Sequence, residues 1–265
     1  MQSEEAVGLV CAGTIGQSFL ARLPALLRRL GPIKTPTFRT SRLAANQLRA
    51  GEAVSHYSAL EACRLILVWV PEEARLDKVL CDLVARTPIR QSACSTHMVA
   101  LCECVRDSRD YTAFRATGAR VATVNPIPDS NERIFVAEGH PATVRRLHGL
   151  FTENQRKLIR LKSGTKPLFF AGVHAGAPLL LPWIAAGMAS LRAAGFSRSE
   201  AATVGELLGV RTLRKYAKAG GRAWNQTTAA ELRRALNSGV PEIRASNPEL
   251  ADLYEQGIRL ALTQF

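Results

Sequence analysis

Residues 65–70 read LILVWV, six apolar side chains without a polar break. A strand that is apolar at every position has no face to offer water, so it belongs inside a sheet covered on both sides. Helices placed between successive parallel strands provide that cover, and the flanking sequence has the required alternation. Val7–Cys11 reads as a buried strand and residues 14–30 as a helix stopped by Gly31-Pro32. Residues 35–40 read as a second strand, and 43–50 as a helix closed by Gly51. After the central run, Pro71 ends the strand and residues 72–84 carry a helical pattern. Residues 89–94 and 120–124 read as further strands, with a helical pattern near 98–105 between them. A strand at 132–137, a helix at 141–151 and a strand at 157–161 close this half. After Ser163-Gly164-Thr165 only helical patterns remain, at 166–194, 197–217, 227–236 and 248–263. Ser197 with Glu200, and Thr228 with Glu231, have capping-box spacing. The expectation is an α/β chain: a mostly parallel sheet domain over residues 1–163, then an all-helical domain over 164–265.

The turn after the first strand reads Cys11-Ala12-Gly13-Thr14-Ile15-Gly16. It matches the dinucleotide fingerprint G-x-G-x-x-G except that Cys11 replaces the first glycine. Gly13 keeps the position of close backbone approach to a pyrophosphate, and Gly16 the position of tight helix–strand packing. Cys11 is tolerable only if the backbone there avoids positive φ. Ala12, Thr14 and Ile15 complete the expected phosphate cradle. At the end of the second strand the sequence Phe38-Arg39-Thr40-Ser41-Arg42 contains no acid to hold a ribose 2′-hydroxyl. Thr40, Ser41 and Arg42 suit a 2′-phosphate, which makes NADP the expected cofactor ahead of NAD. A nucleotide-type domain that packs well and binds nothing is the bland alternative.

The formal net charge is +13, with the cations scattered along the chain. Neither a basic block nor a platform of interleaved aromatics accompanies them, which argues against nucleic acid as the partner and leaves an anionic small ligand favoured. The six cysteines lack zinc spacing, so no metal is expected, and Cys94 reads as packing ahead of nucleophile. Glu4 and Glu5 before the first strand argue against a signal peptide and for a cytoplasmic protein. Residues 168–191 hold no Asp, Glu, Lys or Arg and are long enough to span a bilayer. His174, Pro178, Pro182 and many small residues favour a helix buried inside the helical domain over a membrane span.

The stretches VGLVCAGTIG, FRTSRLAANQLRAG, CRLILVWVPEEARLDKVL and GARVATVNPIP together resemble a Rossmann-like superfamily. It contains pyrroline-5-carboxylate reductase and the 6-phosphogluconate and 3-hydroxyisobutyrate dehydrogenases. The nearest likeness is to a poorly characterised branch with a C-terminal helical domain of unknown function, and it spans nearly the whole chain. The resemblance implies an NADP-dependent oxidoreductase acting on a small carbonyl or imine in the cleft between domains, and a homodimer formed through the helical domain. It places Val70 and Pro71 beside the nicotinamide and makes SACSTHM, Ser92 to Met98, a polar turn lining the cleft, which brings in His97. The first helix of the helical domain supplies Lys166 and His174 as proton donors. The chain departs from the family pattern at Asn125-Pro126, where relatives have His-Pro, and at Pro178 and Leu179, where a polar Asn is expected. The branch's TGP…RGD pattern is missing near Trp224-Asn225-Gln226. These departures support an alternative, a nucleotide-binding or regulatory dimer that has lost catalysis.

Overall fold

The computed structural model describes residues 6–86, 97–128, 130–131, 133–223 and 226–263. The chain divides into two compact units, Met1–His174 and Ala175–Phe265.

The first unit is built on an eight-stranded sheet, ordered β3-β2-β1-β4-β5-β6-β7-β8. Its strands are β1 (Val7–Cys11), β2 (Leu30–Lys34), β3 (Glu52–Ala53), β4 (Leu65–Trp69), β5 (Met98–Cys102), β6 (Arg120–Pro126), β7 (Ile134–Gly139) and β8 (Lys157–Arg160). Strands β1 to β6 run parallel, β7 is antiparallel to β6, and β8 is parallel to β7. The expected α/β class, a mostly parallel sheet followed by helices, is what the chain adopts.

Strand β4 shows why the sheet is covered on both faces. Its residues alternate sides. Leu65, Leu67 and Trp69 enter one buried cluster with Phe19, Leu147 and Phe151, while Ile66 and Val68 enter the other with Leu76, Leu80 and Phe114. The first cluster is roofed by α1 (Pro24–Arg29), α2 (Phe38–Leu48) and α5 (Pro141–Glu153). The second is roofed by α3 (Glu73–Arg86) and α4 (Thr112–Arg115). Three aromatic rings anchor the first roof: Phe135 lies 4.5 Å from Phe151 and 5.0 Å from Phe19, centroid to centroid.

Several local expectations are corrected. The helix expected over 14–30 is two 3-10 turns, Ile15–Gln17 and Phe19–Arg22, followed by the short α1. The second strand is β2, which contains Gly31 and Pro32, and residues 38–42 begin helix α2. Burial between β1 and β3 overrides the poor strand propensity of Gly-Pro. Residues 98–102 are strand β5 where a helical pattern was expected, since five mixed apolar residues carry no decisive period. The strand expected at 89–94 lies outside the described residues.

Helix α6 (Lys166–Gly176) carries the boundary between the units. The second unit contains α7 (Leu181–Ala193), α8 (Arg198–Ala219), α9 (Gln226–Arg234), α10 (Val240–Ser246) and α11 (Pro248–Leu262). Ser197 and Glu200 form the expected reciprocal cap on α8. Thr228 instead falls inside the first turn of α9, so the second expected cap is not a helix start. Val240, Ala251 and Ile258 form a small core, and Trp183 of α7 sits where a Cβ on Gly257 of α11 would be. The expectation of a buried apolar helix is also corrected. The stretch Lys166–Ala193 is long and apolar enough to cross a membrane by length and composition, yet no residue of its apolar window is fully buried in the single chain. Helix α7 turns Trp183 toward Gly257 and leaves Leu181 and Ile184 facing outward.

The aromatic anchor yields a stability prediction. Phe135→Ala opens a cavity between two other rings and should lower the unfolding free energy by about 3–5 kcal/mol. Urea denaturation checks it; a loss under about 1 kcal/mol would mean the rings do not anchor the roof.

Candidate functional site

In an open parallel sheet the binding crevice lies outside the carboxyl ends of the strands, where the strand order reverses. Here the chain runs outward from β1 to β2 and β3, then returns to the other side of β1 with β4. The crevice therefore opens beyond Cys11 and Trp69, which pair in register. Ala12 N–H donates to Trp69 O at 3.1 Å and fixes the turn against the end of β4.

Gly13 is required at this turn. Its φ is +121°, and a Cβ there would meet Pro71 Cγ at 3.1 Å and Trp69 Cζ3 at 3.3 Å. Gly16 differs: a Cβ would meet nothing within 4 Å, so the tight packing expected of the third glycine is absent. Cys11 is the last residue of β1 and is not among the residues with positive φ, which is why a side chain is accepted there. Burial pushes its thiol up to about 12. Thr14 precedes the 3-10 turn and Ile15 is fully buried beneath it. Val70 is buried and Pro71 exposed behind the turn.

The residues expected to hold a 2′-phosphate sit on the first turn of α2. The Thr40 hydroxyl donates to Thr37 O at 2.8 Å and belongs to the helix cap. Ser41 is fully buried, and its Oγ accepts from Thr35 N–H at 3.0 Å. Both hydroxyls are committed to the fold, while Arg42 is exposed. Sequence reading missed a basic cleft beside the turn, of about 440 Å³, lined by Ala12 and Lys34 together with Arg75, Lys78 and Arg86 of α3. A signal existed: Arg75, Lys78, Asp82 and Arg86 recur every three or four residues and so share one helix face.

A second cluster forms at the carboxyl end of β5. Glu103 has φ +61°, uncommon for a side-chain-bearing residue, and its carboxylate accepts from Trp69 Nε1–H at 2.7 Å. Lys166 is 1% exposed; its Nζ donates to Arg106 O at 3.0 Å and lies 3.4 Å from Cys104 Sγ. Burial pushes the Cys104 thiol up, against the pull of Lys166. Arg106 is fixed by Glu73 and Asp77, each at 2.7 Å, and those carboxylates hold its guanidinium in the charged form. Asn125 donates to Cys104 O at 3.0 Å, and its Oδ1 is buried without a partner.

The candidate proton donors do not converge. His174 is exposed on α6, about 12 Å along the helix axis from Lys166. His97 precedes β5, and its Nε2 lies 3.1 Å from Glu61 O. Because β5 is parallel to β1 and β4, His97 sits at the amino end of the strands, opposite the crevice, a correction to its expected place in the cleft. The expectation took strand 89–94 to end just before it. Cys94 and most of the SACSTHM stretch lie outside the described residues.

No protein-family model and no curated protein matches the sequence. Solved structures do share its fold. An imine reductase variant from Myxococcus stipitatus in complex with NAD+ is 16% identical with a TM-score of 0.71, over 98% of this chain and 94% of that one. The Myxococcus stipitatus imine reductase in complex with NADP+ is 14% identical with a TM-score of 0.64, over 97% and 94%. A reductive aminase from Aspergillus terreus in complex with NADPH and ethyl-5-oxohexanoate is 14% identical with a TM-score of 0.58, over 99% and 95%. The chain thus has the architecture of a Rossmann-like sheet followed by a helical region.

The two glycines of the turn are separable by mutation. Gly13→Ala places a Cβ at positive φ against Pro71 and should cost about 1–3 kcal/mol. Gly16→Ala should stay within about 0.5 kcal/mol of the parent. Comparing denaturation midpoints checks the contrast, and equal costs would contradict it.

Proposed function

We propose that the protein is an NADP-dependent oxidoreductase acting on the C=N or C=O bond of a small substrate. The observation that carries this reading is the Gly13 turn at the β1/β4 crevice with a cationic cleft beside it. Gly13, at positive φ, lets the turn lie directly on Trp69 and Pro71 at the end of the sheet, and the cleft offers positive charge to an anionic ligand, so the residues present fit a dinucleotide phosphate. The bound nucleotides named for the similar structures agree with that fit.

Backbone N–H groups at Gly13, Thr14 and Ile15, at and just before the 3-10 turn, would hold the pyrophosphate, since the first N–H groups of a helical turn have no partner within it. Val70 and Pro71, at the end of β4, would border the reactive end of the cofactor. NADPH supplies hydride when bound, and the chain supplies orientation and a proton. Lys166 holds the Cys104–Arg106 loop in place, and the exposed His174 is the group on α6 free of burial to exchange a proton. A second reading, a nucleotide-binding protein without turnover, is favoured by the enclosure of Lys166 and by the place of His97 at the amino end of the strands.

We also infer a homodimer through the helical region. On α7 and α8, Leu181, Ile184, Leu207, Leu208 and Leu213 are all exposed, and this accumulation of apolar surface supports an interface. The five described cysteines are free, four of them buried, which suits the reducing cytoplasm.

NADPH at about 100 times its dissociation constant should add about 2.7 kcal/mol of stability and raise the melting temperature. Steady oxidation of NADPH with a panel of cyclic imines, keto acids and aldehydes supports the enzyme. Stabilisation without oxidation across the panel supports the second reading, and neither effect removes both. Separately, Leu181→Glu with Leu213→Glu should halve the mass seen by light scattering; an unchanged mass would place the interface elsewhere.

A further inference from the structure

We infer that the cofactor's 2′-phosphate is read by helix α3 and Lys34, not by the start of α2. This rests on the NADP reading above and assigns discrimination between NADP and NAD to Lys34, Arg75, Lys78 and Arg86. The cleft they line also includes Ala12, so it is continuous with the turn that receives the pyrophosphate. Its position beyond β2, where Lys34 is the last strand residue, is that of the adenosine ribose in a dinucleotide fold.

The charges in the cleft are unbalanced. Four cations face one carboxylate, Asp82, which lies 3.5 Å from Arg86. Arg75 pairs with Glu72 at the surface, and both groups are largely exposed, so that pair is weakly held. Lys34 is the constrained member. It is 6% exposed, its ammonium donates to Thr35 O and lies 5.1 Å over the Tyr57 ring, and no carboxylate is described in contact with it. Burial first, and then the neighbouring Arg86 charge, disfavour its protonated form, while Asp82 partly offsets them. A dianionic phosphate between Lys34 and the α3 face would relieve this like-charge crowding, whereas a ribose hydroxyl would not.

Helix α2 is poorly equipped for the same task. The Thr40 and Ser41 hydroxyls are bonded within the Thr35–Ser41 network, and Ser41 is fully buried. Arg42 is exposed and is not among the described residues lining the cleft. On α3 the three cations sit at 75, 78 and 86, on one exposed face, so single substitutions there spare the core.

The test is calorimetric binding of NADP+ and NAD+ to the full-length wild type, to Lys78→Ala with Arg86→Ala, and to Arg42→Ala. Adenosine 2′,5′-bisphosphate and 5′-AMP serve as fragment probes. The α3 variant should weaken NADP+ by about tenfold or more, the effect of lost charge-assisted contacts, and leave NAD+ within about twofold. The bisphosphate should lose affinity in parallel, while Arg42→Ala keeps the wild-type preference. Loss of the preference in Arg42→Ala but not in the α3 variant overturns the inference and leaves the NADP reading standing. Equal wild-type affinity for NADP+ and NAD+ overturns it as well. Binding of neither nucleotide to the wild type removes the NADP reading, and this inference with it.

Discussion

Burial of β4 on both faces is the constraint from which the rest follows. A strand with no polar residue can exist only between two roofs, and each roof must be made by chain that leaves the sheet and returns. The return from β3 to β4 on the other side of β1 creates the reversal of strand order, and the reversal opens the crevice. Trp69 then serves two elements at once. Its carbonyl holds Ala12, its indole N–H is taken by Glu103, and its ring fills the space beneath Gly13. Fold and site are joined through one side chain at the end of the most apolar strand.

What could be read from the sequence divides along this line. The strands β1 and β4, the turn glycine Gly13 and the passage from sheet to helices all follow from local pattern, because burial on two faces and positive φ leave marks on composition. Strand β2 leaves no such mark. Its Gly31 and Pro32 are helix-stop residues by every local rule, and only pairing with β1 and β3 makes them strand. Reading β2 five residues late carried the 2′-phosphate assignment onto Thr40 and Ser41, which cap a helix. The same slip hid Lys34. At β5 the five residues MVALC carry no period to separate strand from helix, and His97 was assigned to the wrong end of the strands as a result. The cations of α3 were visible as a helical stripe, but a stripe of charge ordinarily means a solvated face, and only the cleft gives it meaning.

The cluster around Lys166 separates binding from catalysis in physical terms. An ammonium group held by a backbone carbonyl and placed beside a thiol costs free energy to bury and is kept by the geometry around it. Such a group orders the loop after β5 and is poorly placed to meet a substrate unless that loop moves. The nucleotide recognition proposed above uses different atoms, those of the Gly13 turn and the cleft lined by Lys34. The two functions can therefore be lost independently, as the departures at Asn125 and Leu179 from the resembling families suggest.

Cys11 has a consequence for reactivity. A cysteine at the turn of a nucleotide crevice would ordinarily invite peroxide or an electrophilic inhibitor. Here the thiol is sealed beneath the sheet's end, and at neutral pH the anionic form that reacts is nearly unpopulated. The replacement of glycine by cysteine thus gives the crevice a sulfur atom without giving it a nucleophile, and covalent reagents aimed at this turn should pass it by.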